Sequence, residues 1–304
     1  MQGQITKGIA GFYYVKSGET VFRCKARGIF KQQGIKPAPG DQVDFEIIEG
    51  NDDSLITGIL PRKNCFIRPF VANVDCFAVV TAVHRPAPVQ ALIDKLLIMA
   101  EQADTDIVIC INKCDLAENT AKASGRKARE SLETLRSIYE PVYPVVLLEK
   151  DDPAGIEELR RLIQGKRTAL AGASGVGKST ILNRLLRSEH METGEISEKT
   201  QRGKHTTRHA ELFPLDEEGT GIFDTPGFTS FSLAEMEPEQ LQHCFPEIRD
   251  CPGTCRYDNC LHAAEPECRI KEAVRQGRFG QARYDSYLSM LKELQEDKQG
   301  GKRR

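Results

Sequence analysis

Gly172-Ala173-Ser174-Gly175-Val176-Gly177-Lys178-Ser179 decides how this chain is read. It fits the pattern G-x-x-x-x-G-K-S, in which a tightly curled backbone aims successive N–H groups at phosphate oxygens. Gly172, Gly175 and Gly177 supply the conformational freedom for that curl. Lys178 adds a point charge for the β- and γ-phosphates, and the Ser179 hydroxyl is the expected magnesium ligand, with Thr180 beside it. Thr168–Gly172 enters the loop as an apolar strand. Ser179–Leu186 leaves it as a helix whose positive end also favours phosphate. A chance glycine-rich turn would lack these flanks.

Two shorter motifs lie on either side. Upstream, Asn112-Lys113-Cys114-Asp115 closes the buried-strand pattern Ile107–Asn112, at the end of a strand where open α/β sheets bind ligands. It reads as a guanine loop. The Asp115 carboxylate can accept from the ring N–H and the exocyclic amine of guanine, whereas adenine would leave that buried group unpaired. Lys113 can lay its alkyl stem across the base, Asn112 can tie the loop to the phosphate loop, and Cys114 completes it. Downstream, Asp224-Thr225-Pro226-Gly227 fits a magnesium-sensing loop, with Asp224 holding the ion through water and the Gly227 N–H facing the γ-phosphate. A small GTPase runs phosphate loop, then D-x-x-G, then N-K-x-D. Here the guanine loop comes first, so the domain is circularly permuted.

Between the last two motifs lies Arg202-Gly203-Lys204-His205-Thr206-Thr207-Arg208-His209. One threonine, Thr207 in preference to Thr206, is expected to close onto magnesium and the γ-phosphate, with the basic residues forming a phosphate-contacting surface. Two positions depart from the small-GTPase pattern. Phe228 stands where a water-orienting glutamine is usual, so unaided hydrolysis should be slow; His205 is a weak alternative for that task. Val146-Leu147-Leu148-Glu149 replaces the Ser-Ala pair expected near guanine O6. That contact is a backbone N–H, so binding can survive with somewhat relaxed base selectivity.

The flanking regions differ in kind. Ile5–Val15, Thr20–Phe30, Gln42–Ile48 and Leu55–Leu60 are short β-rich runs between Gly, Pro and Asp turns, as in a small barrel. An OB-fold leads and an SH3-like barrel stays open. Residues 236–297 read as mostly helical around Cys255-x4-Cys260-x-His262-x5-Cys268. Three thiolates and an imidazole suit one tetrahedral, structural zinc with no open catalytic position. Cys251 and Cys244 are nearby alternatives. The expected division is therefore a barrel at 1–66, a permuted α/β P-loop GTPase domain at 67–232 and a mainly helical zinc-binding domain at 233–304.

The 304 residues carry a net charge of −2, with 39% apolar and 28% charged side chains, which excludes a histone-like basic protein. The chain has neither an uninterrupted apolar run of about 18 residues nor a charged-then-apolar leader, and reads as cytosolic. Ten cysteines, five of them between Cys244 and Cys268, then point to a metal and not to disulfides. Lys7, Lys16, Arg23, Lys25, Arg27 and Lys31 interleave with Phe12, Tyr13, Tyr14, Phe22 and Phe30, as RNA-binding barrels require. An ordinary barrel, with core aromatics and solvated lysines, is the plainer alternative. Arg275, Arg278, Arg283 and Lys292 suggest a second RNA-facing surface or a solvated helix face.

The motif order, the Gly203–His209 segment and the C-x4-C-x-H-x5-C spacing resemble the ribosome small-subunit-dependent GTPase A family over nearly the whole chain. That resemblance implies an OB-fold, a permuted GTPase and a zinc domain. It also implies a cytoplasmic factor in late small-subunit maturation whose weak GTPase activity that subunit stimulates. GTP with Mg2+, binding to the small subunit and its rRNA, a monomeric state and no membrane or DNA partner are the accompanying expectations. GTP would gate docking, and hydrolysis would release the protein. The rivals are an RNA-binding scaffold with structural nucleotide and a zinc-dependent DNA-binding regulator, the latter disfavoured by the lack of helix-turn-helix or C2H2 spacing.

Overall fold

The computed structural model describes residues 1–48, 50–193, 210–216, 218–228, 233 and 236–301. The run Ile5–Val15 is two strands and not one. Ala10 and Gly11 take φ of 51° and 85°, the left-handed pair whose twist suits a two-residue hairpin. Strand β1 (Gln2–Ile9) thus folds back on β2 (Phe12–Ser17), with Ile9 opposite Phe12. β3 (Thr20–Ala26) ends before Phe30, because Gly28–Gln32 forms a short helix, α1, that turns Phe30 into the barrel interior. β4 (Gln42–Glu46) pairs with β5 (Ser54–Ile59) and closes onto β1. β5 also runs parallel to β3. The closed order β1-β2-β3-β5-β4-β1 with a parallel β3–β5 pair is the OB-type barrel, which sets aside the SH3-like alternative. Ile5, Val15, Cys24, Val43, Phe45 and Ile56 fill it.

A hairpin not anticipated from sequence, β6 (Cys65–Ile67) and β7 (Phe70–Ala72), follows the barrel. Gly40 makes their junction possible. Its φ is +94°, and a Cβ there would lie 2.0 Å from the Ala72 carbonyl oxygen. The Arg62 guanidinium braces the same loop with two 2.7 Å bonds to the buried Asp41 carboxylate.

The chain forms two compact units, Met1–Val80 with Asp151–Thr229, and Thr81–Lys150 with Ser230–Arg304. These cuts divide the expected 67–232 segment. In the first unit, β8 (Cys76–Ala82) and β13 (Gly221–Phe228) flank β11 (Arg167–Ala171), all parallel. β12 (Glu211–Pro214) runs antiparallel to β13, and its Glu211 pairs with Lys7 of β1, so the barrel joins this sheet directly. Helices α4 (Ala154–Leu162) and α5 (Lys178–Thr193) belong to the same unit.

In the second unit, β9 (Asp106–Asn112) and β10 (Val145–Leu148) pair in parallel and are accompanied by α2 (Gln90–Gln102) and α3 (Ala123–Tyr139). The carboxyl-terminal helices α6 (Pro238–Leu241), α7 (Pro246–Arg249), α8 (Arg269–Arg275) and α9 (Gln281–Gly301) share a buried cluster with Ile98 of α2. Phe245, Ile270, Tyr287 and Leu291 are among its buried members.

Arg283 corrects the sequence reading. It is 2% exposed and offers no RNA-facing charge. Its guanidinium bonds Asp94 Oδ1 at 2.5 Å and Glu247 at 2.7 and 3.2 Å, with Phe245 stacked 4.6 Å away. Burial alone would lower its pKa; the Glu247 hydrogen bonds and the Asp94 charge reverse that and raise it. Asp94 also accepts from Tyr139 Oη at 3.0 Å and Ser286 Oγ at 2.6 Å. Breaking such a pair strands a buried charge. Arg283→Ala is expected to lower stability by about 3–5 kcal/mol in urea unfolding, and a loss of about 1 kcal/mol or less would show that the network contributes little.

Candidate nucleotide site and metal centre

Strand β11 delivers the phosphate loop. Gly172 takes φ +144°, and a Cβ there would lie 2.1 Å from the Val80 carbonyl oxygen, so only glycine fits without displacing β8. Gly175 and Gly177 also have positive φ, at 79° and 106°. Val176, 2% exposed, pins the loop inward between them. Helix α5 begins at Lys178, whose Nζ donates to the Gly172 and Ala173 carbonyls at 2.7 and 2.8 Å. Burial lowers the pKa of this lysine. Ser174, Ser179 and Thr180 are exposed, and Ala173 is half-buried.

Beside this loop runs β13. The sequence suggested that the strand stops at Phe223; instead it runs on to Phe228, with Asp224 paired to Glu211 of β12 and Phe228 paired to Ala171 of β11 across a register irregularity that spans Thr225–Gly227. Asp224 faces Glu211 of β12, and the Gly172 N–H donates to the Phe228 carbonyl at 3.0 Å. Phosphate loop and D-x-x-G segment are therefore neighbours in one unit. Phe228 is 1% exposed, with the rings of Phe77 and Phe66 edge-on at 4.9 and 5.4 Å. The position of the usual glutamine is a core anchor here, and its side chain cannot orient water. Thr207 and the rest of Arg202–His209 lie outside the described residues.

The guanine-type loop belongs to the second unit. β9 carries Asn112, whose Oδ1 accepts from the Lys113 N–H at 2.8 Å. Lys113 has φ +64°, and its ammonium donates to the Arg85 carbonyl. Asp115 is half-buried in the 3-10 turn Cys114–Ala117. The Cys114 thiol turns inward, donating to the Ile111 carbonyl at 3.1 Å, and burial pushes its pKa up to about 11. It contributes packing, and its thiol is not presented to a base. Leu148 pairs in register with Asn112, so the segment that replaces Ser-Ala does lie alongside this loop.

Cys255, Cys260, His262 and Cys268 place one ligand atom each within 4.8 Å of one another. A tetrahedral zinc with bonds near 2.3 Å has sulfur–sulfur edges of about 3.8 Å. The Cys255–Cys268 separation is 4.0 Å, and His262 Nδ1 lies 3.6 Å from Cys255 Sγ and 3.4 Å from Cys268 Sγ. The donor set fits. When bound, zinc would cross-link the loop and leave no open position for chemistry. Burial keeps His262 neutral more readily, lowering its pKa, while Cys260 is pushed up by burial and by the neighbouring thiols. Cys244 and Cys251 lie outside the set, each with its thiol hydrogen on a backbone carbonyl at 3.8 Å. Sequence did not reveal the outer supports: Tyr284 Oη donates to the His262 carbonyl and Tyr287 Oη to the Leu261 carbonyl, both at 2.7 Å.

Comparison with known proteins agrees with this arrangement. Residues 59–234 match the RsgA GTPase family and residues 2–56 the RsgA N-terminal domain. A relative from Alkaliphilus metalliredigens, named small ribosomal subunit biogenesis GTPase RsgA, is 44% identical across 98% of this chain and 99% of its own. The chain belongs to the RsgA GTPase family. Another relative of that name, from Agathobacter rectalis, is 43% identical over 97% of this chain and 98% of its own. Among solved structures, YjeQ from Thermotoga maritima superposes with a TM-score of 0.80 at 34% identity, covering 96% of this chain and 98% of its own. YloQ, described as a circularly permuted GTPase, gives 0.78 at 32%, covering 97% and 95%. As a member of this family the chain is a GTP-hydrolysing enzyme. Its permuted motif order is shared with a structural neighbour and is not an accident of motif matching.

Purified full-length chain is expected to retain one zinc per molecule through gel filtration. Cys260→Ala should lose it while guanine nucleotide still binds, since the two sites share no residues. Metal analysis of both proteins checks this; a wild type free of zinc after reducing, chelator-free purification would contradict it.

Proposed function

We propose that this chain acts as a GTP switch in small ribosomal subunit assembly, docking on rRNA with GTP bound and leaving after hydrolysis. The observation that carries the RNA part is a row of cations over outward aromatics on the barrel. Lys7 lies 4.9 Å from the Tyr14 ring centre, and Arg23 and Lys25 lie 5.2 and 5.1 Å from that of Phe12. Phe22 and Phe30 belong to the barrel core, so the interleaved sequence pattern separates into two faces. Stacking platforms beside cations favour unpaired bases and their phosphates. A cavity of about 320 Å3 adjoins the row, lined by Phe12, Tyr13, Lys36, Pro69, Phe70 and Ala210. Ala210 directly follows the Arg202–His209 segment in the chain.

In this reading Asp115 holds the guanine edge, with Asn112 and Lys113 supporting it. Gly172–Gly177 and Lys178 take the phosphates, and Ser179, Thr207 and Asp224 hold Mg2+ while Gly227 senses the γ-phosphate. Because Phe228 is committed to the core, the group that orients water comes from elsewhere, and the docked subunit supplies or positions it. The proposed place of action is the cytoplasm, in keeping with the small ribosomal subunit biogenesis named for the relatives. No described helix is long and apolar enough to cross a membrane.

GTP turnover with and without purified small subunits tests the switch reading, with a large rise expected. No stimulation would favour an RNA-binding scaffold. Asp115→Asn should weaken GTP binding by about 2–4 kcal/mol, because two charge-assisted hydrogen bonds are lost. The variant should gain affinity for xanthine nucleotides; unchanged GTP affinity would remove this loop from the base site.

Docking supplies a further prediction. Small-subunit affinity should be higher with a non-hydrolysable GTP analogue than with GDP, and should fall steeply with salt as counterions are released. Thr207→Ala should diminish that nucleotide dependence with GDP binding nearly intact. Sedimentation binding assays in the two nucleotide states decide it. Equal affinities would mean that GTP does not gate docking.

A further inference from the structure

One amide governs the imidazole of the metal centre. Gln242 opens the 3-10 turn Gln242–Cys244 that continues α6. Its Nε2 donates to the Glu239 carbonyl at 3.0 Å, which fixes the orientation of the amide. Its Oε1 then lies 3.0 Å from His262 Nε2. A carbonyl oxygen can only accept, so Nε2 must carry the imidazole proton. Nδ1 is left with its lone pair, and it is Nδ1 that faces Cys255 Sγ and Cys268 Sγ.

The other supports of this loop do not touch the ring. Tyr284 and Tyr287 bond the backbone carbonyls of His262 and Leu261, and Glu265 accepts from the Leu261 and Ala263 N–H groups at 2.9 Å each. The His262 N–H bonds Cys260 Sγ at 3.4 Å. These contacts set the course of the backbone, including the φ of +60° at His262, and leave ring rotation and tautomer to Gln242. His262 is 3% exposed, so an Nε2–H without Gln242 would be buried without this acceptor.

We propose that Gln242 is the positioning residue of the metal centre. It selects the Nε2–H tautomer, aims Nδ1 at the ion and ties the metal loop to α6. This rests on the zinc reading of the Cys3His set. Helix α6 suits the task because its start is rigid: Pro238 occupies the first turn, and Glu237 and Gln240 form a reciprocal capping box with the Glu237 N–H on Gln240 Oε1 at 2.9 Å. Zinc retention therefore depends on the placement of α6.

The test uses full-length protein and Zn2+ with a chromophoric competing chelator. Gln242→Leu, which removes the acceptor, is expected to weaken zinc binding by about 10–100-fold. Gln242→Glu, which keeps an acceptor, should bind at least as tightly as wild type. Long-range nitrogen–proton NMR of the zinc-loaded wild type should show His262 bound through Nδ1 with a protonated Nε2, and this readout holds even where the leucine variant fails to fold. Metal bound through Nε2, or wild-type affinity in Gln242→Leu, would overturn the proposal and leave the zinc reading standing. A wild type that binds no zinc would sink that reading itself.

Discussion

A buried guanidinium holds the carboxyl-terminal helices to the segment that carries the guanine-type loop. Arg283 of α9 reaches Asp94 of α2 and Glu247 of α7, while Tyr139 of α3 closes on the same Asp94 carboxylate. Taking these charges out of water costs several kcal/mol per ion, and complete pairing is what offsets it. Four helices are thereby fixed against one another at a point where partial separation would expose an unpaired charge. The rim pairs Lys95–Glu293 and Arg249–Glu101 are partly exposed and add less. Because Tyr284 and Tyr287 on the same α9 hold the metal loop, the metal centre inherits its footing from this network.

The second constraint is Phe228. In an unpermuted GTPase the strand ending in D-x-x-G leads back into the sheet. Here it ends on a phenylalanine locked among Phe66 and Phe77, and the next compact unit begins at Ser230. The anchor makes the D-x-x-G segment a strand with a fixed end beside the phosphate loop. It also removes the side chain that would otherwise orient the hydrolytic water.

The barrel shows the same dependence on long-range closure. Its aromatics divide by strand alternation: Phe12 and Tyr14 turn outward under Arg23, Lys25 and Lys7, while Phe22 packs on Phe45 inside. The Lys7–Glu211 pair, at 3.2 Å, then joins β1 to β12, whose Glu211 sits opposite Asp224. A continuous strand ladder therefore runs from the outward face of the barrel to the D-x-x-G segment.

What the sequence by itself determined was local. The phosphate loop was legible because Gly172, Gly175 and Gly177 encode backbone geometry within eight residues, and the metal set because Cys255–Cys268 fits one loop. The buried runs that became β8, β9 and β11 were legible because burial on both faces demands continuous apolar sequence. Tertiary structure alone decided the rest. The β1–β2 turn at Ala10-Gly11 and the parallel β3–β5 pair made the runs an OB-type barrel; Phe228 became an anchor; Arg283 went into the core; Gln242 met His262. Each depends on partners far apart in the chain, and an arginine or glutamine reads as solvated surface until its buried partners are in place, since only complete pairing offsets the cost of leaving water.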